Sequence, residues 1–100
     1  MEINNIPEAL TLPLRLSLIS CLVDGQKTFT EMKNITKGSD GNISVQLSKL
    51  QKWGFIESEK CKLNNYSQTI YTITEFGLNN LEDYIALLED IIQSSIYKKS

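Results

Sequence analysis

The stretch from Ser39 to Gly54, SDGNISVQLSKLQKWG, decides how the rest of the chain is read. Ser39 is a good N-cap because its hydroxyl can accept a first-turn backbone N–H. Gly54 is a good stop because glycine takes left-handed backbone angles without a Cβ penalty. Between them the segment predicts one helix of about four turns. Ile43, Leu47 and Leu50 recur at spacings of four and three and share one face. The other face carries Asn42, Ser44, Gln46, Ser48, Lys49 and Lys52, with no carboxylate after Asp40. Amides, hydroxyls and ammonium groups can hydrogen-bond base edges and phosphates without repelling a polyanion. An ordinary amphipathic helix with a solvated polar face would look the same, so the neighbouring segments decide.

Upstream, Thr28 and Glu31 form a T-x-x-E capping box, which starts a helix near Phe29 that runs to about Thr36. Phe29, Met32 and Ile35 are spaced to face inward, and Gln26–Phe29 has room for a very short strand. Lys37–Gly38 is a tight turn, so two helices joined by a short glycine-containing connection are expected, a helix-turn-helix. Downstream, Phe55, Ile56 and Ser58 begin an extended run, residues 63–68 (LNNYSQ) read as a polar turn, and TIYTIT (69–74) alternates in the manner of a strand. A helix-turn-helix followed by a β-hairpin is the winged-helix order, and the combination is far more specific than either half. At the hairpin, Lys60, Lys62, Asn64 and Asn65 are candidates for phosphate contact, although asparagines also simply favour turns.

Two outer helices complete the pattern. The first is expected from Thr11 as N-cap, with Pro13 in its first turn, to about Val23, after a short turn near Pro7. It is apolar nearly all round: Leu12, Leu16, Ile19 and Val23 form one stripe, and Leu14, Leu18, Cys21 and Leu22 another. A second stripe suggests a face for another helix, from this chain or a second one. The last helix is expected from Glu75, capped by Thr74, to about residue 96. At ~1.5 Å per residue it is about 30 Å long, more than a domain of this size can cover. Leu78, Leu81, Ile85, Leu88 and Ile92 step by three, four, three and four, a heptad seam that Tyr84, Leu87 and Ile91 widen. Glu82, Asp83, Glu89 and Asp90 fall on the opposite side. Packing on its own domain alone would leave much of that stripe unused, so a dimer helix is expected, with Leu14, Leu18, Leu81, Tyr84, Ile85, Leu88, Ile91 and Ile92 at the interface. Tyr97–Ser100 are expected to fray.

The composition agrees. The chain has 100 residues and a net charge of −2, which hides a split. Seven lysines between Lys27 and Lys62 face only Glu31, Asp40, Glu57 and Glu59, whereas residues 63–97 hold five acids and no base. One face for an anionic partner and another turned away from it are expected. Arg15 is the only arginine. There is no histidine, so no histidine base or ligand exists, and two cysteines make no zinc set. No phosphate-binding glycine pattern appears. An enzyme, a cofactor and a metal site are therefore not expected. Cys21 and Cys61 fit free thiols in a reducing cytoplasm; Lys60 and Lys62, next to Cys61 in sequence, are the one hint of a stabilised thiolate. Neither a signal-peptide pattern nor a membrane span is seen.

The segments PLRL (13–16), TFTEMK (28–33), DGNISVQLSKLQKWGFIE (40–57) and YTITEFG (71–77) together resemble the small winged-helix transcriptional regulators related to the MarR-like family. Residues 40–57 are similar to that family's DGNLS-x-HL-x-KLE-x-x-GY pattern, with Ile43 at its Leu, Gln46 at its usual His and Phe55 at its Tyr. The resemblance implies a homodimer on a short double-stranded DNA operator, the central helix in the major groove and the wing at the backbone. It also implies dimer contacts through the first and last helices. The chain departs from the family at the wing, where LNNYSQT replaces the usual arginines and proline.

The expected fold is mainly α with a small β-hairpin (α+β): a winged helix-turn-helix with a long C-terminal dimerisation helix. One domain, 1–100, divides into a helix-turn-helix at about 29–53, a wing at about 55–74 and the last helix at about 75–96. The expected function is a DNA-binding transcriptional regulator, a repressor by occlusion, with Ser39, Asn42, Ser44, Val45, Gln46, Ser48, Lys49, Lys52, Lys60, Lys62, Asn64 and Asn65 at the DNA. Asn42 has an amide able to pair with adenine, as Gln46 has if exposed, and Val45 suits a thymine methyl. The alternative is a winged-helix module for protein contact, using Val45 and Trp53. A small-molecule effector between the dimer helices and the DNA-binding lobe fits either, and no residue announces one.

Overall fold

A computed structural model describes residues 1–96, so the expected fraying of Tyr97–Ser100 lies outside the described residues. Two short 3₁₀ turns, Ile3–Asn5 and Glu8–Leu10, lead into α1 (Pro13–Cys21). Then come β1 (Lys27–Thr28), α2 (Phe29–Thr36), α3 (Asp40–Lys52), β2 (Ile56–Leu63), β3 (Tyr66–Ile73) and α4 (Glu75–Ile96). The strands form one antiparallel sheet in the order β1-β3-β2. The winged-helix order expected from sequence is the order observed.

Local chemistry explains most boundaries. The Thr28 hydroxyl accepts the Glu31 N–H (3.2 Å) while the Thr28 N–H donates to the Glu31 carboxylate (3.0 Å), the full capping box. That backbone N–H, and secondarily the hydroxyl, hold the Glu31 carboxyl below its ordinary value. Ser39 caps α3 by accepting the Asn42 N–H. At its far end Phe55 N–H donates to Leu50 O (3.0 Å) and Gly54 N–H to Gln51 O (3.1 Å), with Gly54 at φ +81°. This is the paired closure of a Schellman motif, and it needs a left-handed residue at Gly54.

Four places refine or correct expectation. First, α1 starts after Leu12 with no side-chain cap; the Thr11 hydroxyl instead donates back to Glu8 O (2.8 Å), and the helix ends at Cys21 rather than Val23. Second, the short turn expected at Lys37–Gly38 is present, with Lys37 as its left-handed residue (φ 62°). Gly38 is required for closeness, because a Cβ there would lie 2.9 Å from the Ile43 side chain. Third, the wing turn is two residues, not six. Asn64 and Asn65 both take positive φ (52° and 70°), as a tight I′-type hairpin turn demands, so the strands pair without a break from Ile56↔Ile73 to Leu63↔Tyr66. Fourth, Ile35 points outward and is 55% exposed; α2 is only two turns long and buries Met32, with Phe29 half-buried.

The core lies where α1, α2 and α3 meet the root of the sheet. Leu18, Ile19, Leu22, Met32, Ile43, Leu47, Leu50 and Ile56 are wholly buried there. Helix α4 attaches by its first two turns. Thr74 N–H donates to Phe55 O (3.0 Å), and the Thr74 hydroxyl donates to Gly54 O (2.6 Å) while accepting the Gly77 N–H (2.9 Å). Phe76 meets Phe55 edge-on at 5.3 Å, and Leu81 is buried. Beyond Tyr84, α4 leaves the body, and the molecule measures 61 × 24 × 22 Å. No helix among the described residues is long and apolar enough to cross a membrane.

A Cβ at Gly77 would sit 2.3 Å from Phe55 O, whereas one at Gly41 would meet nothing within 4 Å. Gly77→Ala should therefore cost about 1–3 kcal/mol through overpacking against backbone. Gly41→Ala should leave stability unchanged or raise it by up to ~1 kcal/mol, as alanine is the better helix former. Thermal melts should place Gly77→Ala below wild type and Gly41→Ala at or above it; equal melting points would refute this account of the α4 junction.

Candidate nucleic-acid interface

Helix α3 divides cleanly. Ile43, Gln46, Leu47 and Leu50 are buried, and the opposite ridge is Gly41, Val45, Ser48 and Lys52, spaced by four, three and four. Asn42 and Lys49 border this ridge on one side, Ser44 and Gln51 on the other, all exposed. Small side chains along the ridge let the helix backbone come close to whatever it docks against. The ridge bears cations near its C-terminal end. Asp40, the one acid on the helix, is exposed at its N-terminus and paired with Lys33 Nζ at 2.6 Å. That ammonium offsets the charge a polyanion would otherwise meet first.

The wing continues this charge pattern through the two-residue period of a strand. Ser58, Lys60 and Lys62 share one face of β2, while Glu57, Glu59 and Cys61 share the other. The Ser58 hydroxyl donates to the Gln51 amide oxygen (3.1 Å), so the lysine-bearing face is the one turned toward α3. Lys60 and Lys62 are exposed, as are Asn64 and Asn65 at the turn. The wing acids are thus segregated from α3 by the pleat alone. The same pleat separates Lys60 and Lys62 from Cys61, so their adjacency in sequence gives that thiol no cationic neighbour on its own face. Burial pushes the Cys21 thiol above its ordinary value, away from the thiolate. Both cysteines are free.

Behind α3 lies a group that sequence reasoning missed. Arg15 is only 8% exposed, and no carboxylate pairs with it among the described residues. Its Nε donates to Gln46 Oε1 (2.8 Å) and its Nη1 to Glu8 O (3.0 Å), and its guanidinium lies 5.0 Å from the centre of the Trp53 ring. Gln46 Nε2 in turn donates to Asn42 Oδ1 (3.2 Å). Gln46 is 7% exposed and hydrogen-bonded through both its oxygen and its nitrogen, which corrects its placement among the base-reading residues. Trp53 is half-buried under the same guanidinium, leaving Val45, at 50% exposure, as the large apolar side chain on this face. A signal for Arg15 was present: it falls in register with Leu18, Ile19 and Leu22, and a charge on a buried face marks a specific partner.

The residues expected at a dimer interface fall into two groups. Leu18 and Leu81 are buried in the chain's own core, and Leu14 and Tyr84 are half-buried against it, so Leu18 and Leu81 have no surface left for a partner. Ile85, Leu88, Ile91 and Ile92 are exposed on the projecting half of α4. The heptad seam is therefore split: its first half docks α4 and its second half is open. A surface groove of about 640 Å³ runs between α1 and α2, lined by Pro13, Leu16, Ser17, Ser20, Cys21, Ile35 and Thr36.

Comparison with known proteins agrees with this geometry. Residues 14–92 match the model of the family described as winged helix DNA-binding domain, and the chain belongs to that family. Solved structures share its fold at low identity. A transcriptional regulator homologue from Pyrococcus horikoshii OT3 superposes with a TM-score of 0.80 at 20% identity, covering 88% of each chain. A MarR-family putative transcriptional regulator from Enterococcus faecalis V583 gives 0.80 at 21%, covering 97% of this chain and 88% of that one. The transcriptional repressor BigR from Xylella fastidiosa gives 0.65 at 23%, covering 94% and 85%. No curated protein matches the chain. The protein is thus a winged-helix DNA-binding domain protein.

Proposed function

We propose that this protein is a cytoplasmic, non-enzymatic repressor that binds an inverted-repeat operator as a homodimer and acts by occluding it. The chain works as one domain over residues 1–100, with α3 in the major groove and the wing along the backbone. One observation carries the reading: the carboxylate-free ridge of α3 and the lysine face of β2 form a single surface, from which Glu57 and Glu59 are turned away. Ser39, Asn42, Ser44, Val45 and Ser48 are the residues placed against bases and nearby phosphates. Lys49, Lys52, Lys60 and Lys62 meet phosphates, and Asn64 and Asn65 approach from the wing turn. The arginine-free wing limits the number of phosphate contacts, so affinity depends on joining two copies.

The open half of the α4 seam supplies that joining. Ile85, Leu88, Ile91 and Ile92 form an exposed apolar stripe on a helix that extends past its own core. A second α4 packed along it would bury the stripe and set two α3 helices on one side of a twofold axis. A small-molecule effector would find the α1–α2 groove lined by Leu16, Cys21 and Ile35.

Leu88→Glu places a carboxylate in the proposed seam while leaving an exposed position of the monomer unchanged in packing. Helical circular dichroism should persist, and sedimentation should move from dimer to monomer. A wild type that sediments as a monomer at tens of micromolar would remove the dimer from the proposal. Footprinting should then show two half-sites whose centres are about 10 base pairs, or a multiple of that, apart.

The two kinds of contact on α3 should separate cleanly. Asn42→Ala should relax the preference at one base position of each half-site, by ~1–3 kcal/mol. Lys49→Ala should weaken binding to all sequences alike and lower the salt slope by about one per half-site. If neither variant changes binding to the operator, and substitutions at Val45 instead abolish association with a protein partner, the protein-contact reading replaces this one.

A further inference from the structure

The hydrogen-bond chain behind α3 has a direction, and only one direction is chemically available. A guanidinium carries N–H donors and no acceptor, so the Gln46 atom 2.8 Å from Arg15 Nε must be the amide oxygen. That turns the Gln46 amino group toward Asn42, at 3.2 Å, where it can only meet an acceptor. The Asn42 oxygen is thereby drawn toward the protein and its amino group faces outward. Two amide orientations that are ordinarily interchangeable are both set by one buried cation, and Asn42 is exposed at the edge of the α3 ridge.

We propose that Arg15, acting through Gln46, presents Asn42 to the major groove as a hydrogen-bond donor and so selects guanine over adenine at one position of each half-site. The inference rests on the reading of Asn42 as a base-contacting residue and deepens it. Guanine offers two acceptors, O6 and N7, to an incoming amino group. Adenine offers N7 beside its own N6 amino group, which would oppose a second donor and needs the amide oxygen that Gln46 already holds. Arg15 touches no base. It is a positioning residue whose Glu8 and Trp53 contacts hold the guanidinium in place while Nε sets the polarity of the chain.

Gln46→Glu reverses that polarity with almost no change in shape. The new carboxylate still accepts from Arg15, and gains an ion pair, but it has no N–H to give. It draws the Asn42 amino group inward and turns the Asn42 oxygen outward, toward bases that present a donor. Arg15→Ala would leave a hole in the core and is the poorer probe, which Gln46→Glu avoids.

The test uses the full-length protein and a duplex it selects from a randomised pool. The position whose preference disappears in Asn42→Ala identifies the base that Asn42 reads. Wild type should prefer guanine to adenine there by roughly fivefold or more, the worth of one or two hydrogen bonds. Gln46→Glu, checked for an unchanged or raised melting temperature, should shift the guanine-to-adenine ratio toward adenine by roughly tenfold. Preferences at other positions should stay as in wild type, a pattern that general loosening of α3 would not produce. A wild type that selects adenine at that position, or a Gln46→Glu variant that keeps the guanine preference, overturns the relay while leaving Asn42 as a base reader. If Asn42→Ala alters no position, base reading by Asn42 fails and the relay falls with it.

Discussion

A guanidinium taken out of water with no carboxylate beside it among the described residues must be satisfied by neutral partners, and the partners Arg15 finds come from three parts of the chain. Glu8 supplies a carbonyl from the turn before α1, Gln46 an amide from the middle of α3, and Trp53 a ring face from the end of α3. Burying an unpaired charge is costly unless such contacts are all made together. The position of α3 relative to α1 is therefore constrained by polar geometry as well as by the Leu18, Ile43 and Leu50 packing beneath it. Ridge packing alone leaves helices free to slide a little along each other; a directional donor does not. Helix α3 is thus held from behind by the one residue type with several fixed donors.

A second constraint sits at the Phe55 carbonyl. It follows the closure of α3, begins the wing, and accepts the N–H of Thr74, the residue that caps α4. Gly77 lets α4 pass so close that any side chain there would collide with this carbonyl. Helix α3, the wing and the projecting helix α4 consequently meet at one short stretch of backbone. The direction in which α4 leaves is set there, and with it the relation between the α3 surface and any copy docked on Ile85, Leu88 and Ile92.

Charge is distributed by simple periodicities around that frame. On α3 the helical period keeps lysines on the open face and leaves Asp40 at the end where Lys33 meets it. On β2 the two-residue period puts Lys60 and Lys62 on one face and Glu57 and Glu59 on the other. On α4 the acids lie opposite the apolar stripe. A chain of net charge −2 can in this way present a locally basic surface without being basic overall.

Sequence by itself determined the element order, the capping box at Thr28, the caps at Ser39 and Thr74, the stop at Gly54 and the buried stripe of α3. These are local: each depends on a side chain meeting backbone within a few residues, or on a spacing within one helix. The heptad seam of α4 and the polar ridge of α3 were legible for the same reason. Tertiary structure decided what spacing cannot. It assigned Leu18 and Leu81 to the core and left Leu88 and Ile92 open, because a stripe shows only that a face is apolar and not what covers it. It shortened the wing turn to Asn64 and Asn65, since strand pairing extends as far as partners across the hairpin allow. It turned Ile35 outward on a helix too short to bury three residues. It withdrew Gln46 from the surface and joined it to Arg15, thirty-one positions away, because a hydrogen bond between distant residues leaves no periodic trace in the chain.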